Sequence, residues 1–300
     1  MVEWDARGLP PAAQRRIDSI GTTHLRSSLL SVSGTASLES TGFRPISEVM
    51  GAIVLNTAGA TMPSCGIYNQ GYGFGANPMY ANSRTMTNAP GSAMGGIGYT
   101  SYVEVINSGW STALSRMMLE TTKLQADGVV DIRLQQNPLG SGAVEFVALG
   151  TAVGARHEIS AHKPFSTHLS GSEVSKLLHH GYVPASILIE VSVAIRHDDI
   201  ATYNQASMWA QNTEITGYSD LVHTARSNAR DRLSHAVTRV GAQGAIVDSL
   251  SLRVFEYEPY ENHRDHVAEV TVIGTSIVSF AKGVIKAMPL SILSLKDNRK

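Results

Sequence analysis

"DGVVDIRL…EFVALGTAV", residues 127–153, returns later in the chain as "GAIVDSLSLRV…EVTVIGTSI", residues 244–277. Glu145, Gly150 and Thr151 meet Glu269, Gly274 and Thr275 at a single offset of 124 residues. Upstream, Tyr102, Ile106, Ala113, Met117 and Gly128 meet Tyr218, Val222, Ala229, Leu233 and Gly244 at an offset of 116, without a gap. Earlier still, Leu30, Ser31, Leu38, Gly42, Phe43 and Pro45 meet Leu169, Ser170, Leu177, Gly181, Tyr182 and Pro184 at an offset of 139. Offsets that hold within periodic segments and change between them mark two copies of one fold, because loops tolerate insertions and elements do not. The reading is a tandem duplication, with copies at 27–156 and 165–281, an N-terminal extension 1–26, a linker 157–164 and a tail 282–300.

Each copy has the same layout. "SEVMGAIVLN", 47–56, follows the "GFRP" turn and reads as a buried strand, with Pro45 placed before its start. Between Tyr102 and Leu124 apolar residues recur at spacings of three and four, which predicts an amphipathic helix. Residues 217–240 repeat that pattern with Val222, Ala225, Ala229, Leu233 and Val237. A glycine then breaks each helix, and two strand runs follow: 129–135 with 144–153, and 245–257 with 267–280. The expected class is α+β, two tandem β-α-β-β domains, each an antiparallel sheet with one helix packed on it. A layer this thin leaves sheet edges and faces to be covered by a neighbour.

Bulk properties exclude several classes. The 300 residues are 43% hydrophobic, enough for a substantial core, and 24 basic residues against 25 acidic leave a net charge of −1. No global field draws the chain to nucleic acid or to an anionic membrane. The single cysteine, Cys65, makes no internal disulfide, and "MVEWDARGLPPAAQRRID" lacks the apolar core of a signal peptide, so a cytoplasmic location is expected. Apolar runs such as "PASILIEVSVAI", 184–195, fall short of the ~20 residues that span a bilayer. Outside the copies, 9–20 reads as a short helix with Pro near its start.

"GFRPISEVMG", the helix ending in "LETTKLQADGVVDIRL", and "EFVALGTAV" together resemble the YbjQ-type, heavy-metal-binding domain family. The first copy follows the pattern nearly throughout, with Gln125 where Gly is usual; the second departs at "AIVDSL" and "GTSIV". The resemblance implies the β-α-β-β fold and assembly into closed rings, pentameric in single-domain relatives. Its signature residues are Gly, Ala, Thr and Val, which pack, so it carries no ligand set onto these positions.

No catalytic constellation stands out: Cys65 has no neighbouring His, no G-x-S-x-G elbow occurs, and "GYGFGANP" at 71–78 lacks the dinucleotide fingerprint. Ten of the 11 histidines lie at or after His157. In "NHRDH", read as an inter-strand turn, His263, Asp265 and His266 form a candidate site for zinc or a similar ion, beside the alternative of a solvated hairpin loop. "RHDD", 196–199, reads equally as a charged strand exit or a site. The segment 56–100 is long, rich in glycine and nearly free of charge. Its Met62, Cys65, Met79, Met86 and Met94 offer soft ligands for copper, while Tyr68, Tyr72, Phe74 and Tyr80 suit contacts with another subunit or a protein partner. The leading expectation is a non-enzymatic, homo-oligomeric assembly protein; the alternative is a transition-metal-binding protein.

Overall fold

The computed structural model describes residues 4, 8–23, 27–57, 85–87, 98–156, 163–260 and 263–280. The first half opens with helices α1 (Pro11–Thr23) and α2 (Val32–Ser40), then strands β1 (Phe43–Asn56) and β2 (Met86–Thr87), helix α3 (Gly98–Lys123), and strands β3 (Gly128–Gly140) and β4 (Ala143–Ala155). The second half runs β5 (Phe165–Ser166), α4 (Gly171–His179), β6 (Tyr182–His197), α5 (Ile200–Ala206), α6 (Thr216–Arg239), β7 (Gly244–Tyr260) and β8 (His263–Ser279). The α+β class is as expected. Two mixed-length sheets result, ordered β1-β4-β3-β5 and β2-β6-β8-β7.

The repeat is visible in the register. In the first sheet Glu145 of β4 lies between Val54 of β1 and Asn137 of β3; in the second, Glu269 of β8 lies between Val193 of β6 and Arg253 of β7. Matching irregularities follow Pro45 in β1 and Pro184 in β6. Each proline lies inside its strand rather than ahead of it, because the bulge there removes the ladder bond that its missing N–H would leave unmade. Short helices α2 and α4 precede β1 and β6, an addition to the expected layout. Ser31 caps α2 through Gly34 N–H, and Ser170, at the same place on α4, donates its backbone N–H to Glu173 at 2.8 Å.

α6, the second sheet, α3 and the first sheet stack in that order. On the first sheet, α3 lies against Val49, Phe146, Ala148 and Ala152, and Trp110 meets Phe146 edge to face with ring centroids 5.1 Å apart. Approach is so close that a Cβ on Gly51 of β1 would stand 1.9 Å from the Ala113 carbonyl oxygen. The same core continues into Ile187, Val191, Val193, Ile195 and Val267 of the second sheet, so α3 serves both sheets. α6 covers the opposite face of the second sheet, over Leu188, Ala194, Ala268, Val270 and Val272. A third core, Leu38, Val130, Val153, Leu169 and Val174, joins α2 to α4.

Between the halves runs a strap, residues 165–169. It pairs parallel to β3 and continues with Thr167 N–H donating to Val129 and Asp131 N–H donating to Leu169, both at 2.9 Å. Its other side holds the second sheet: Ile187 N–H donates to Ser166 Oγ at 3.1 Å, and Thr167 and Thr275 share a hydroxyl hydrogen bond at 2.9 Å.

Two boundaries differ from expectation for a common reason. β3 and β4 run on to a tight connection at Ser141–Gly142, through the polar "QQNPLGSG", and β7 and β8 extend to 260 and 263. Long hairpins project beyond the helices, so their distal strand residues are polar without being turns.

Candidate functional site

The junction between α3 and the second sheet is where polar chemistry is buried. Tyr102 donates its hydroxyl to Glu269 Oε2 at 2.5 Å, and Arg253 Nη2 lies 3.0 Å from both oxygens. Glu269 is 7% exposed. Burial, and next the Glu269 carboxylate, push the Tyr102 phenol far above the ordinary tyrosine range. Arg253 also lies over the Phe255 ring, 4.8 Å from its centroid. Beside this network a cleft of about 550 Å³ opens between the two sheets, walled by Tyr102, Ile106, Pro138, Val144, Arg253 and Glu269. These groups position and hold; nothing among them forms a nucleophile–base pair.

At the far end of the second sheet the sequence-predicted ligands separate. His263 opens β8 rather than a turn; its side chain lies outside the described residues. Asp265 and His266 are consecutive in the strand and so point to opposite faces. Asp265, fully buried, meets His197 Nδ1 at 3.3 Å, whereas His266 Nδ1 meets Asp198 at 2.9 Å and its Nε2 meets Glu256 at 3.5 Å. Tyr218 packs on His266, the rings tilted 42° with centroids 4.4 Å apart, and donates to Asp198 at 3.3 Å; burial and then Asp198 raise its pKa.

"RHDD" is likewise accounted for. Arg196 pairs with Asp199 at 3.3 Å and Asp220 at 3.2 Å, and Asp199 caps α5 by accepting from Thr202 N–H. The segment ties β6 to α5 and α6. Among the described residues, no three His, Cys, Asp or Glu side chains gather to hold a metal ion.

Of the long-segment candidates, Met62, Cys65, Met79, Met94, Tyr68, Tyr72, Phe74 and Tyr80 lie outside the described residues. Met86 is placed in β2, opposite Ile195 of β6, and packs against the core that α3 shares with both sheets. That end of the segment is thus bound within its own chain. The Tyr102–Glu269–Arg253 network was missed in the sequence, although Tyr102/Tyr218 and Glu145/Glu269 had both marked themselves as repeated positions.

Large apolar side chains stand exposed on β1 and in the turn after α5. Met50 is 38% exposed and Val54 53% on the first sheet's outer face, and Met208 and Trp209, ahead of α6, are 87% and 85% exposed. Val147 and Leu149 of β4 are half-buried beside Met50 and Val54. Patches of this kind mark contact surfaces.

Comparison with known proteins places the sequence. The YbjQ_1 family model, described as "putative heavy-metal-binding", matches residues 83–156, the stretch holding α3, β3 and β4. The chain is 27% identical over 246 residues to the encapsulin nanocompartment protein of Mycobacterium tuberculosis, covering 79% of this chain and 81% of that one. UPF0145 proteins of Thermotoga maritima and Clostridium perfringens are 44% and 40% identical over 52 and 53 residues, 17% and 18% of this chain. The chain spans about half the length of these two relatives, 49% and 50%. No solved structure matches significantly. The YbjQ-type resemblance read from the sequence is thereby shown.

Proposed function

We propose that this chain, with its YbjQ-type segment and its likeness to a protein named for encapsulin nanocompartments, is a non-enzymatic cytoplasmic assembly protein. Two tandem YbjQ-like domains, 27–156 and 165–281, form its repeating unit, flanked by the extension 1–26, the linker 157–164 and the tail 282–300. Copies close into rings of five chains or a multiple of five, or into a larger shell. The observation that carries this reading is the bare apolar face of the first sheet around Met50 and Val54, at positions a soluble monomer would cover or make polar. No helix among the described residues is long and apolar enough to cross a membrane. Residues 56–100 supply a further contact for a protein partner. Light scattering on the untagged chain at micromolar concentration tests the reading: a mass several times 32.1 kDa is expected, and a stable monomer overturns it.

A further inference from the structure

The contact between the two halves is heterologous. α3 of the first half lies on the second sheet, while α6 of the second half lies on the far side of that sheet and leaves Met50 and Val54 of the first sheet exposed. A contact of this type uses one surface on each half and leaves each half's complementary surface free. Both free surfaces can be located by the repeat.

The offset of 139 carries Met50, Ala52 and Val54 onto Ile189, Val191 and Val193. Val191 and Val193 are 0% and 1% exposed beneath α3; their counterparts carry no helix among the described residues. The same offset carries Ser27, Ser28 and Leu30 onto Ser166, Thr167 and Leu169 of the strap. Hydrogen bonds confirm the match: Leu29 N–H donates to Thr151 Oγ1 at 3.0 Å, as His168 N–H does to Thr275 Oγ1 at 3.3 Å. Both segments hold their own sheet. Among the described residues only the second has a strand, β3, on its outer side, and Ser166 and Thr167 are buried where Ser27 and Ser28 are exposed.

The offset of 116 completes the pattern, carrying Val129, Val130 and Asp131 of β3 onto Ala245, Ile246 and Val247 of β7. β7 ends its sheet. Val130 is fully buried by the strap and helices, while Ile246 is half-buried and Val247 is 51% exposed.

We infer that chain-to-chain contact repeats the domain-to-domain contact: a second copy docks head to tail, laying its residues 27–30 along β7 and its first sheet's outer face on α6. The inference rests on the homo-oligomer reading above and names the surfaces that make it. Glu145 of the second copy, held by Asn137 at 3.0 Å as Glu269 is by Arg253, then faces Tyr218, the counterpart of Tyr102. Met208 and Trp209 project from the segment just before α6 and add apolar area to the joint. Because the contact is heterologous, each added copy presents a fresh acceptor until the arrangement closes on itself.

Cross-linking tests the register. Val129 and Ser166 are paired across the in-chain joint, so Ala245 and Ser27 pair across the joint between copies. In a Cys65→Ser background, the double variant Ser27→Cys/Ala245→Cys is expected to give, on oxidation, a reducible ladder of multiples of the 32.1 kDa chain, and neither single variant gives one. Val54→Glu is expected to reduce the scattering mass to that of one chain, with an unchanged circular dichroism spectrum. Wild-type assembly that persists in Val54→Glu, or that never yields the ladder, overturns this docking and leaves the oligomer reading standing. A wild-type chain that is already a monomer overturns the oligomer reading, and the docking with it.

Discussion

The three long strands of each sheet share one order and one register, yet among the described residues the second sheet is covered by helices on both faces and the first over only one face along most of β1. Covalent duplication explains the difference. It gives the second sheet a neighbour whose helix, α3, seals Val191 and Val193, and among the described residues it gives the first sheet none, so Met50 and Val54 are 38% and 53% exposed. Two copies of a thin unit therefore make one finished layer and one unfinished one.

The helices also differ in how closely they sit. α3 presses on β1 at Gly51, where a Cβ would lie 2.5 Å from Met117 N; the position equivalent to Gly51 in β6 is Glu190, which carries a whole side chain beside α6. Burial raises the Glu190 pKa, and Arg239 answers it at 3.4 Å. Gly51→Leu is expected to cost about 3 kcal/mol, because the obstruction is helix backbone that cannot rotate away. Glu190→Leu should stay within about 1 kcal/mol. Chemical denaturation measures both, and equal losses would break the claim that the two helix–sheet spacings differ.

The helices were legible in the sequence because their apolar spacing is long and regular, but their ends were placed too late. α3 and α6 stop at Lys123 and Arg239, where Gln125 and Gly241 take positive φ, and Gly128 and Gly244 open the strands that follow. α2 was not: "VSGTASLES" is small and polar, and only Gly34 and Leu38 are buried, too few to show a period. Its counterpart in the repeat, α4, shares the Ser and Leu positions, which align the two copies but are too few to show a helical period. His263–His266 looked like a turn because charge is commoner in loops. The strand there is charged because its side chains are buried in pairs with His197 and Asp198 and meet Glu256, beside Tyr218 of α6. Tyr102 and Glu269 are both repeated positions, but their contact spans 167 positions and no local rule reports it.

That contact gives a second way to sharpen the comparison. Tyr102 donates to a buried carboxylate at 2.5 Å; Tyr218 donates to Asp198 at 3.3 Å from a half-buried place. Tyr102→Phe is expected to cost about 2 kcal/mol, the range for a hydrogen bond to a charged group, and to leave Glu269 with Arg253 alone. Tyr218→Phe should cost under about 1 kcal/mol in the single chain. Thermal unfolding of the two variants, both in a Val54→Glu background, decides it. A cost for Tyr218→Phe as large as that for Tyr102→Phe would mean the two polar sites are equivalent after all.

The smallest expected effect lies in the two straps, where the titratable His168 of the second stands at the position of Leu29 in the first. His168 Nδ1 meets Thr275 Oγ1 at 2.8 Å, and burial lowers its pKa against the opposing pull of Asp248 and Glu173. A histidine whose folded pKa lies below its unfolded value near 6.5 stays neutral in the fold while the unfolded chain takes up the proton. Its contribution is therefore fully present above about pH 6.5 and is lost as pH falls through the folded pKa. Leu29 has no proton to take up, so acid should loosen the second strap and leave the first unchanged. Amide exchange at Thr167 and Asp131, compared with that at Glu48, which donates to Ser27 in the first strap, reads the two separately. Protection at Thr167 and Asp131 should fall between pH 7 and pH 5, by under ~10-fold after correction for intrinsic rates, and His168→Leu should abolish the fall. An equal loss at Glu48, or a fall that survives His168→Leu, would remove His168 as its cause.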